Sequence, residues 1–210
     1  MTGLESVKPV RLGVLLSGGG RTLLNILDCI KDGTLSAEVT VVIASRQCKG
    51  VDRSRSAGLD VQVVPYKQMP DVRTYSDRIA GVLDDAGADL VIQAGFLSQW
   101  YVPQCLEGRV MNIHPALLPS FGGKGMYGHH VHEAVLAAGC KVSGCTVHFV
   151  TNEYDSGPII IQRAVEVLDG DDADGLAARV FEQECIAYPQ AIRLFGAGRL
   201  NICGKVVRVV

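Results

Sequence analysis

Val10-Arg11-Leu12-Gly13-Val14-Leu15-Leu16-Ser17-Gly18-Gly19-Gly20-Arg21-Thr22-Leu23 decides the fold class. A short apolar run, a turn of three glycines and the opening of an amphipathic stretch over Leu23–Lys31 follow one another directly. The apolar run, Val10–Leu16, does not alternate with polar residues. That texture marks a strand buried on both faces, as in a parallel sheet covered by helices. The same texture recurs at Val39–Ala44, Val61–Pro65, Leu90–Ala94 and Arg109–Ile113, with helical patterns around Val51–Ala57 and over Val72–Gly87. Alternation of strand and helix predicts an α/β protein with a doubly wound, mainly parallel sheet.

Beyond residue 140 the pattern changes. Ser143–Val150 and Pro158–Val167 read as longer strands in direct succession, joined by the turn Asn152-Glu153-Tyr154-Asp155-Ser156-Gly157. They predict antiparallel C-terminal strands added to the sheet, followed by a long C-terminal helix from about Ala173 to Phe195. No repeat, low-complexity tract or linker interrupts the chain, so residues 1–210 are expected to form a single domain.

Bulk properties narrow the function. Apolar residues make up 48% of the chain and charged residues 20%, with a formal net charge of -2. There is no basic surplus to hold nucleic acid through its phosphates. No segment approaches the ~18 consecutive apolar residues that span a bilayer. Met1–Pro9 is polar and lacks the apolar run of a signal peptide. The expectation is a cytoplasmic protein, monomer or homodimer, with small-molecule substrates and neither nucleic acid nor membrane as partner. The seven cysteines are odd in number, scattered and without a Cys-x-x-Cys pair, so they read as small buried hydrophobes in a reducing compartment.

The segment Ser17-Gly18-Gly19-Gly20-Arg21-Thr22 is either a plain tight turn or an anion cradle. Glycine lets the backbone turn sharply and approach a ligand. The free N–H groups and positive dipole end of the following helix suit a phosphate. The segment lacks the Gly-Lys-Ser/Thr of a P-loop, and Leu23 stands where a dinucleotide fingerprint needs glycine. Ser45-Arg46 replaces the acidic residue that holds a ribose, so a mononucleotide-type phosphate fits better than NAD.

Met111-Asn112-Ile113-His114-Pro115 closes a buried strand. Residues two apart on a strand share a face, so Asn112 and His114 project together beyond the carboxyl end of the sheet, where α/β ligands bind. An Asn amide and a His ring are both able to donate to a developing oxyanion. Asp155 lies in a turn, an ordinary place for aspartate. Within reach of His114 its carboxylate favours the charged imidazole. Leu176, Val180, Glu184, Tyr188, Ala191 and Phe195 fall along one helical stripe. Glu184 is then either a water-exposed stripe edge or a buried carboxylate in need of a partner.

Taken together these residues resemble the phosphoribosylglycinamide formyltransferase family, from Val10 to about Leu200. The resemblance is carried by Asn112-Ile113-His114-Pro115-Ala116-Leu117-Leu118-Pro119 and by Val147-His148-Phe149-Val150-Thr151 running into Asp155-Ser156-Gly157-Pro158-Ile159-Ile160. Leu16-Ser17-Gly18-Gly19-Gly20, Ala94-Gly95-Phe96 and Glu184-x-x-x-Tyr188-Pro189 support it. The resemblance implies a Rossmann-like formyltransferase fold, with an N-terminal half for phosphate and a C-terminal half for folate and catalysis. It implies 10-formyltetrahydrofolate as co-substrate, glycinamide ribonucleotide as acceptor, and no metal. Gly20, Arg21 and Thr22 would take the substrate phosphate and Glu184 the glycinamide end. Leu97, Ser98, Gln99 and Trp100 would line the folate site with Asn112, Thr151, Asn152, Glu153, Tyr154 and Asp155, and Arg73 would be a folate-contacting arginine. Asn112, His114 and Asp155 match the catalytic trio. Asn112 and protonated His114 would stabilise a tetrahedral intermediate, with Asp155 keeping His114 charged.

The chain departs from the family pattern in two places. Arg21 and Thr22 stand where many members have Ser or Asn, and Phe121–His130, with four glycines, is longer than the common version. It is expected to be a mobile, substrate-contacting loop. His129, His130 and His132 suggest a metal site, but ligand spacing beyond nearby Glu133 is lacking. Rival readings are a 10-formyltetrahydrofolate hydrolase, a formyltransferase acting on a related amine and a non-enzymatic nucleotide-binding module. The hydrolase is expected to carry an extra N-terminal domain, the tRNA-directed formyltransferase a basic C-terminal one, and the module to lack one of the trio.

Overall fold

The computed structural model describes residues 8–210, which leaves most of the polar stretch Met1–Pro9 outside the described residues. In chain order the elements are β1 (Val10–Leu16), α1 (Arg21–Lys31), β2 (Ala37–Ala44), α2 (Lys49–Ser56), β3 (Val61–Val63), α3 (Val72–Asp85), β4 (Leu90–Gln93), β5 (Val110–His114), α4 (His129–Ala137), β6 (Val142–Phe149), β7 (Ile159–Glu166), α5 (Ala173–Gly196), β8 (Leu200–Cys203) and β9 (Val206–Val209). The nine strands form one sheet in the order β3-β2-β1-β4-β5-β6-β7-β9-β8. β1 to β5 pair in parallel, β6 adds antiparallel to β5, and β7 antiparallel to β6. The expected class is therefore observed, with antiparallel C-terminal strands and a long C-terminal helix.

The chain winds outward from β1 through β2 to β3, then returns to place β4 on the other side of β1. Adjacent strands whose connections leave in opposite directions open a crevice at their carboxyl ends. Leu12, Val14 and Leu16 of β1 face one apolar core with Leu23 and Ile26 of α1 and Leu176, Val180 and Tyr188 of α5. Leu15 faces the other core with Tyr75, Ile79 and Leu83 of α3. Gly13 lies on that second side, where a side chain would run into Leu83, so its bareness lets α3 lie close on β1.

α5 contains Pro189, which has no N–H for the carbonyl of Cys185 one turn earlier. Asn25 of α1 supplies the missing donor, its Nδ2 reaching Cys185 O at 3.0 Å. The fully buried Tyr188 hydroxyl lies 3.1 Å from Gln93 O, at the carboxyl end of β4, and 2.9 Å from Met111 O of the neighbouring β5. α5 is thus fastened to the sheet edge that carries the crevice.

Several expectations needed adjustment. α1 begins at Arg21 rather than Leu23, because left-handed Gly20, with φ of 72°, starts the helix directly at the turn. β3 ends at Val63, two residues short of Pro65. β5 extends to His114 and stops at Pro115. α4 starts inside the stretch expected to be loop: Val131 and Val135 give it a narrow apolar stripe, diluted in sequence by three histidines. β8 and β9 form a hairpin across left-handed Gly204, missed because their apolar residues are largely exposed. Only Ile159↔Val206 joins that hairpin to β7. Among the described residues no helix is long and apolar enough to cross a membrane.

Tyr188→Phe removes the hydroxyl that joins α5 to β4 and β5. The expected loss is about 1–2 kcal/mol, read as a lower urea midpoint at unchanged m-value.

Candidate functional site

A cavity of about 610 Å³ opens at the carboxyl ends of β1, β4 and β5. Of the residues singled out from sequence, Arg21, Thr22, Leu97, Ser98, Gln99, Trp100, Asn112, His114, Thr151, Asn152, Glu153, Tyr154, Asp155 and Glu184 all line it. Gly20 lies just beneath, at the start of α1, where a Cβ would meet Gly50 Cα at 3.1 Å. Arg73 is not brought to the wall. It is exposed in the first turn of α3, whose N-terminus is capped by Asp71 accepting from Thr74 N.

The centre of the site follows from strand register. β5 and β6 run antiparallel with Asn112 opposite His148 and His114 opposite Thr146. His148 is 2% exposed, and burial lowers its pKa, so the ring is neutral. Phe149 O accepts only, so the Nδ1 at 2.9 Å from it carries the proton. Nε2 is then a lone pair accepting from Asn112 Nδ2 at 3.2 Å. This fixes which way the Asn112 amide faces. It also makes the 3.7 Å approach of His148 Nε2 to Asp155 Oδ1 a contact rather than an ion pair.

His114 is held from the other side. Its Nε2 donates to Phe121 O at 2.8 Å, which leaves Nδ1 facing Asp155 Oδ2 at 3.7 Å. The same Asp155 Oδ2 accepts from Gly123 N at 2.9 Å. Phe121 and Asp155 are the two non-glycine residues with positive φ among the described residues, at 54° and 49°. Such backbone costs of order 1–3 kcal/mol and persists where the surroundings enforce it. Here both strained residues bear on the His114 ring. The chain after β5 is secured by buried Thr146, whose Oγ1 donates to Ala116 O at 2.7 Å and accepts from Leu118 N at 3.0 Å.

The two ends of the cavity differ in chemistry. At the α1 end no side chain caps the helix and its first turn has no acidic residue, so its free N–H groups favour an anion. The turn's carbonyls are occupied by arginines: Arg46 Nε donates to Ser17 O at 2.8 Å and Arg53 Nη1 to Gly19 O at 2.5 Å. The Arg21 guanidinium lies over the Phe181 ring at 4.1 Å from its centroid. Glu184, on the same helix as Phe181, is not the exposed stripe edge considered above. It is partly withdrawn, and burial pushes its carboxyl up to about 7 while Arg21 pulls it down. At the opposite end, Asn152 Oδ1 accepts from Val102 N at 2.8 Å and ties the turn after β6 to the segment after β4. The indole Nε1 of Trp100, on this wall, is buried without a partner among the described residues. Among the described residues no group of three or more His, Cys, Asp or Glu is arranged to hold a metal ion.

Sequence reasoning missed His148 and Phe181 as parts of the wall, while His132, singled out there among the loop histidines, lines it from α4. His148 had a signal, a polar residue inside an apolar strand. Phe181 had none, since only the packing of α5 brings it to the cavity.

Comparison with known proteins follows this geometry. The family described as formyl transferase matches residues 10–192. The chain is 40% identical over 186 residues to a chloroplastic phosphoribosylglycinamide formyltransferase of Arabidopsis thaliana, covering 87% of this chain. It spans only 64% of that relative's length. It is 36% identical over 193 residues to phosphoribosylglycinamide formyltransferase of Escherichia coli K12, covering 90% of this chain and 88% of the relative. Glycinamide ribonucleotide transformylase 1 from Symbiobacterium toebii superposes with a TM-score of 0.90 at 41% identity, covering 97% of this chain and 95% of its own.

Glu184 generates a stability test. Its folded pKa lies above its ordinary value of 4.5, at about 7, so the native chain holds a proton that the unfolded chain releases between those values. Stability falls as pH rises through that window. Glu184→Gln is expected to match the wild type at pH 4 and exceed it by up to about 3 kcal/mol at pH 8, read by urea unfolding at the two pH values.

Proposed function

This chain belongs to the formyl transferase family, and on that premise we propose that it transfers the formyl group of 10-formyltetrahydrofolate to the amine of glycinamide ribonucleotide, in purine biosynthesis. The observation that carries the reading is the convergence of Asn112, His114 and Asp155 at one point of a cavity whose two ends suit different ligands. The α1 end, with Arg21 and Thr22, takes the ribonucleotide phosphate, and Glu184 takes the glycinamide end. The wall from Leu97 to Trp100 and from Thr151 to Asp155 takes the folate. One domain serves both substrates, since one continuous sheet carries both ends.

The mechanism follows from where the donors stand. The acceptor amine attacks the formyl carbon, a carbon–nitrogen bond forms, and the electron pair moves onto the formyl oxygen. The Asn112 amide, with one N–H committed to His148, offers its other N–H to that oxygen. His114 offers Nδ1, the ring nitrogen not bonded to Phe121 O, with Asp155 Oδ2 at 3.7 Å holding the ring in position. Collapse breaks the bond from the formyl carbon to the folate nitrogen, which takes up the proton lost by the amine. The donors are held in place before reaction, so no reorganisation is required when charge develops. No cysteine takes part.

Folate absorbance followed with and without glycinamide ribonucleotide tests the reading. Ribonucleotide-dependent turnover is expected. Turnover with water alone would make the chain a hydrolase, and binding without turnover would make it a non-catalytic module. Asn112→Ala and His114→Ala are each expected to lower kcat by on the order of 10²–10³. Full activity in Asp155→Asn would remove Asp155 from the mechanism.

A further inference from the structure

His132 is a buried histidine that the mechanism above does not use. It lies on α4, is 4% exposed and lines the cavity. Its Nδ1 is enclosed and has no hydrogen-bond partner among the described residues. A purely structural position in an apolar core does not favour such a residue, because an unpaired buried ring nitrogen is costly where a leucine would pack freely. Neighbouring imidazoles come from two elements, His129 on its own helix and His114 on β5. His129 is itself turned toward Asp174 of α5, its Nε2 at 3.3 Å from Oδ1. Burial, reinforced by those two rings, pushes His132 down to about 4, so at neutral pH it carries one proton and no charge. An enclosed nitrogen is better left as a lone pair than as an orphaned N–H. The proton therefore sits on Nε2.

The position of α4 indicates which ligand it serves. α4 packs on α5, and α5 brings Phe181 and Glu184 to the wall. His132 thus belongs to the side of the cavity that the proposed function gives to the amine-bearing substrate.

We propose that His132 is a substrate-binding residue whose neutral imidazole donates from Nε2 to an uncharged oxygen of the acceptor, a sugar hydroxyl or an amide carbonyl, and so sets the amine against the formyl carbon. This rests on the acceptor-side reading of the cavity given above.

The test uses His132→Leu and His132→Asn in the full chain, with steady-state kinetics, ribose 5-phosphate calorimetry and thermal unfolding. In the leucine variant the expected outcome is a Tm at or above that of the wild type. KM for glycinamide ribonucleotide is expected to rise about tenfold, equivalent to about 1.4 kcal/mol, with kcat within about twofold. Asparagine, which keeps a donor, is expected to restore most of the KM. Nitrogen-15 NMR of the His132 ring is expected to show the neutral Nε2–H form, shifting when acceptor binds. Weaker ribose 5-phosphate binding in the leucine variant assigns the oxygen to the sugar; an effect confined to the complete acceptor assigns it to the amide. An unchanged KM overturns the proposal. So does a loss of kcat at constant KM, or a Tm loss without a KM effect. A wild type that fails to formylate glycinamide ribonucleotide overturns the proposed function instead, and ribose 5-phosphate binding with the ring's NMR signature then decides His132.

Discussion

The antiparallel pairing of β5 with β6 is the constraint on which the site depends. It places Asn112 opposite His148 and His114 opposite Thr146. A slip of one residue would turn both to the other face of the sheet. Register alone does not orient an amide or a ring, and here the partners complete the work. His148, neutral because it is buried and protonated toward Phe149 O, leaves a lone pair that accepts from Asn112. Thr146 secures the chain that leaves β5 after His114. The change from parallel to antiparallel pairing at β5 is therefore what builds this edge of the cavity, since β6 returns along β5 carrying its own polar residues.

The site is built at a cost to stability. Phe121 and Asp155 hold positive φ, Glu184 is kept in surroundings that disfavour its charge, and Trp100 and His132 each bury a nitrogen without a partner. These features all lie in or beside one cavity. Elsewhere some such difficulties are resolved internally, while Tyr75 Oη and Ser143 Oγ are likewise buried without a partner among the described residues. The carbonyl freed by Pro189 finds Asn25, and Tyr188 satisfies carbonyl oxygens of β4 and β5.

Much of this was legible beforehand. Continuous apolar strands, the glycine turn and the break at Pro115 specify a parallel sheet and a ligand-binding edge through local periodicity, because backbone geometry repeats every two or 3.6 residues. The pairing of Asn112 with His114 was legible for the same reason, since two residues apart on one strand share a face. Asp155 was visible only as a turn aspartate. Arg73 resembled a binding residue in its motif yet stands away from the cavity wall, and α4 was hidden because its apolar stripe is narrow.

By itself, then, the sequence determined the α/β class, the order of the main strands, the glycine turn at α1 and the face shared by Asn112 and His114, all of which follow from short-range patterns along one element. Only the tertiary structure decided that Asp155 lies 3.7 Å from His114, that His148 orients Asn112, that Glu184 is withdrawn beside Arg21 and that His132 faces the cavity. Each of those depends on residues far apart in the chain meeting across packed elements. Burial, which sets both charge state and hydrogen-bond need, exists only once the elements have come together.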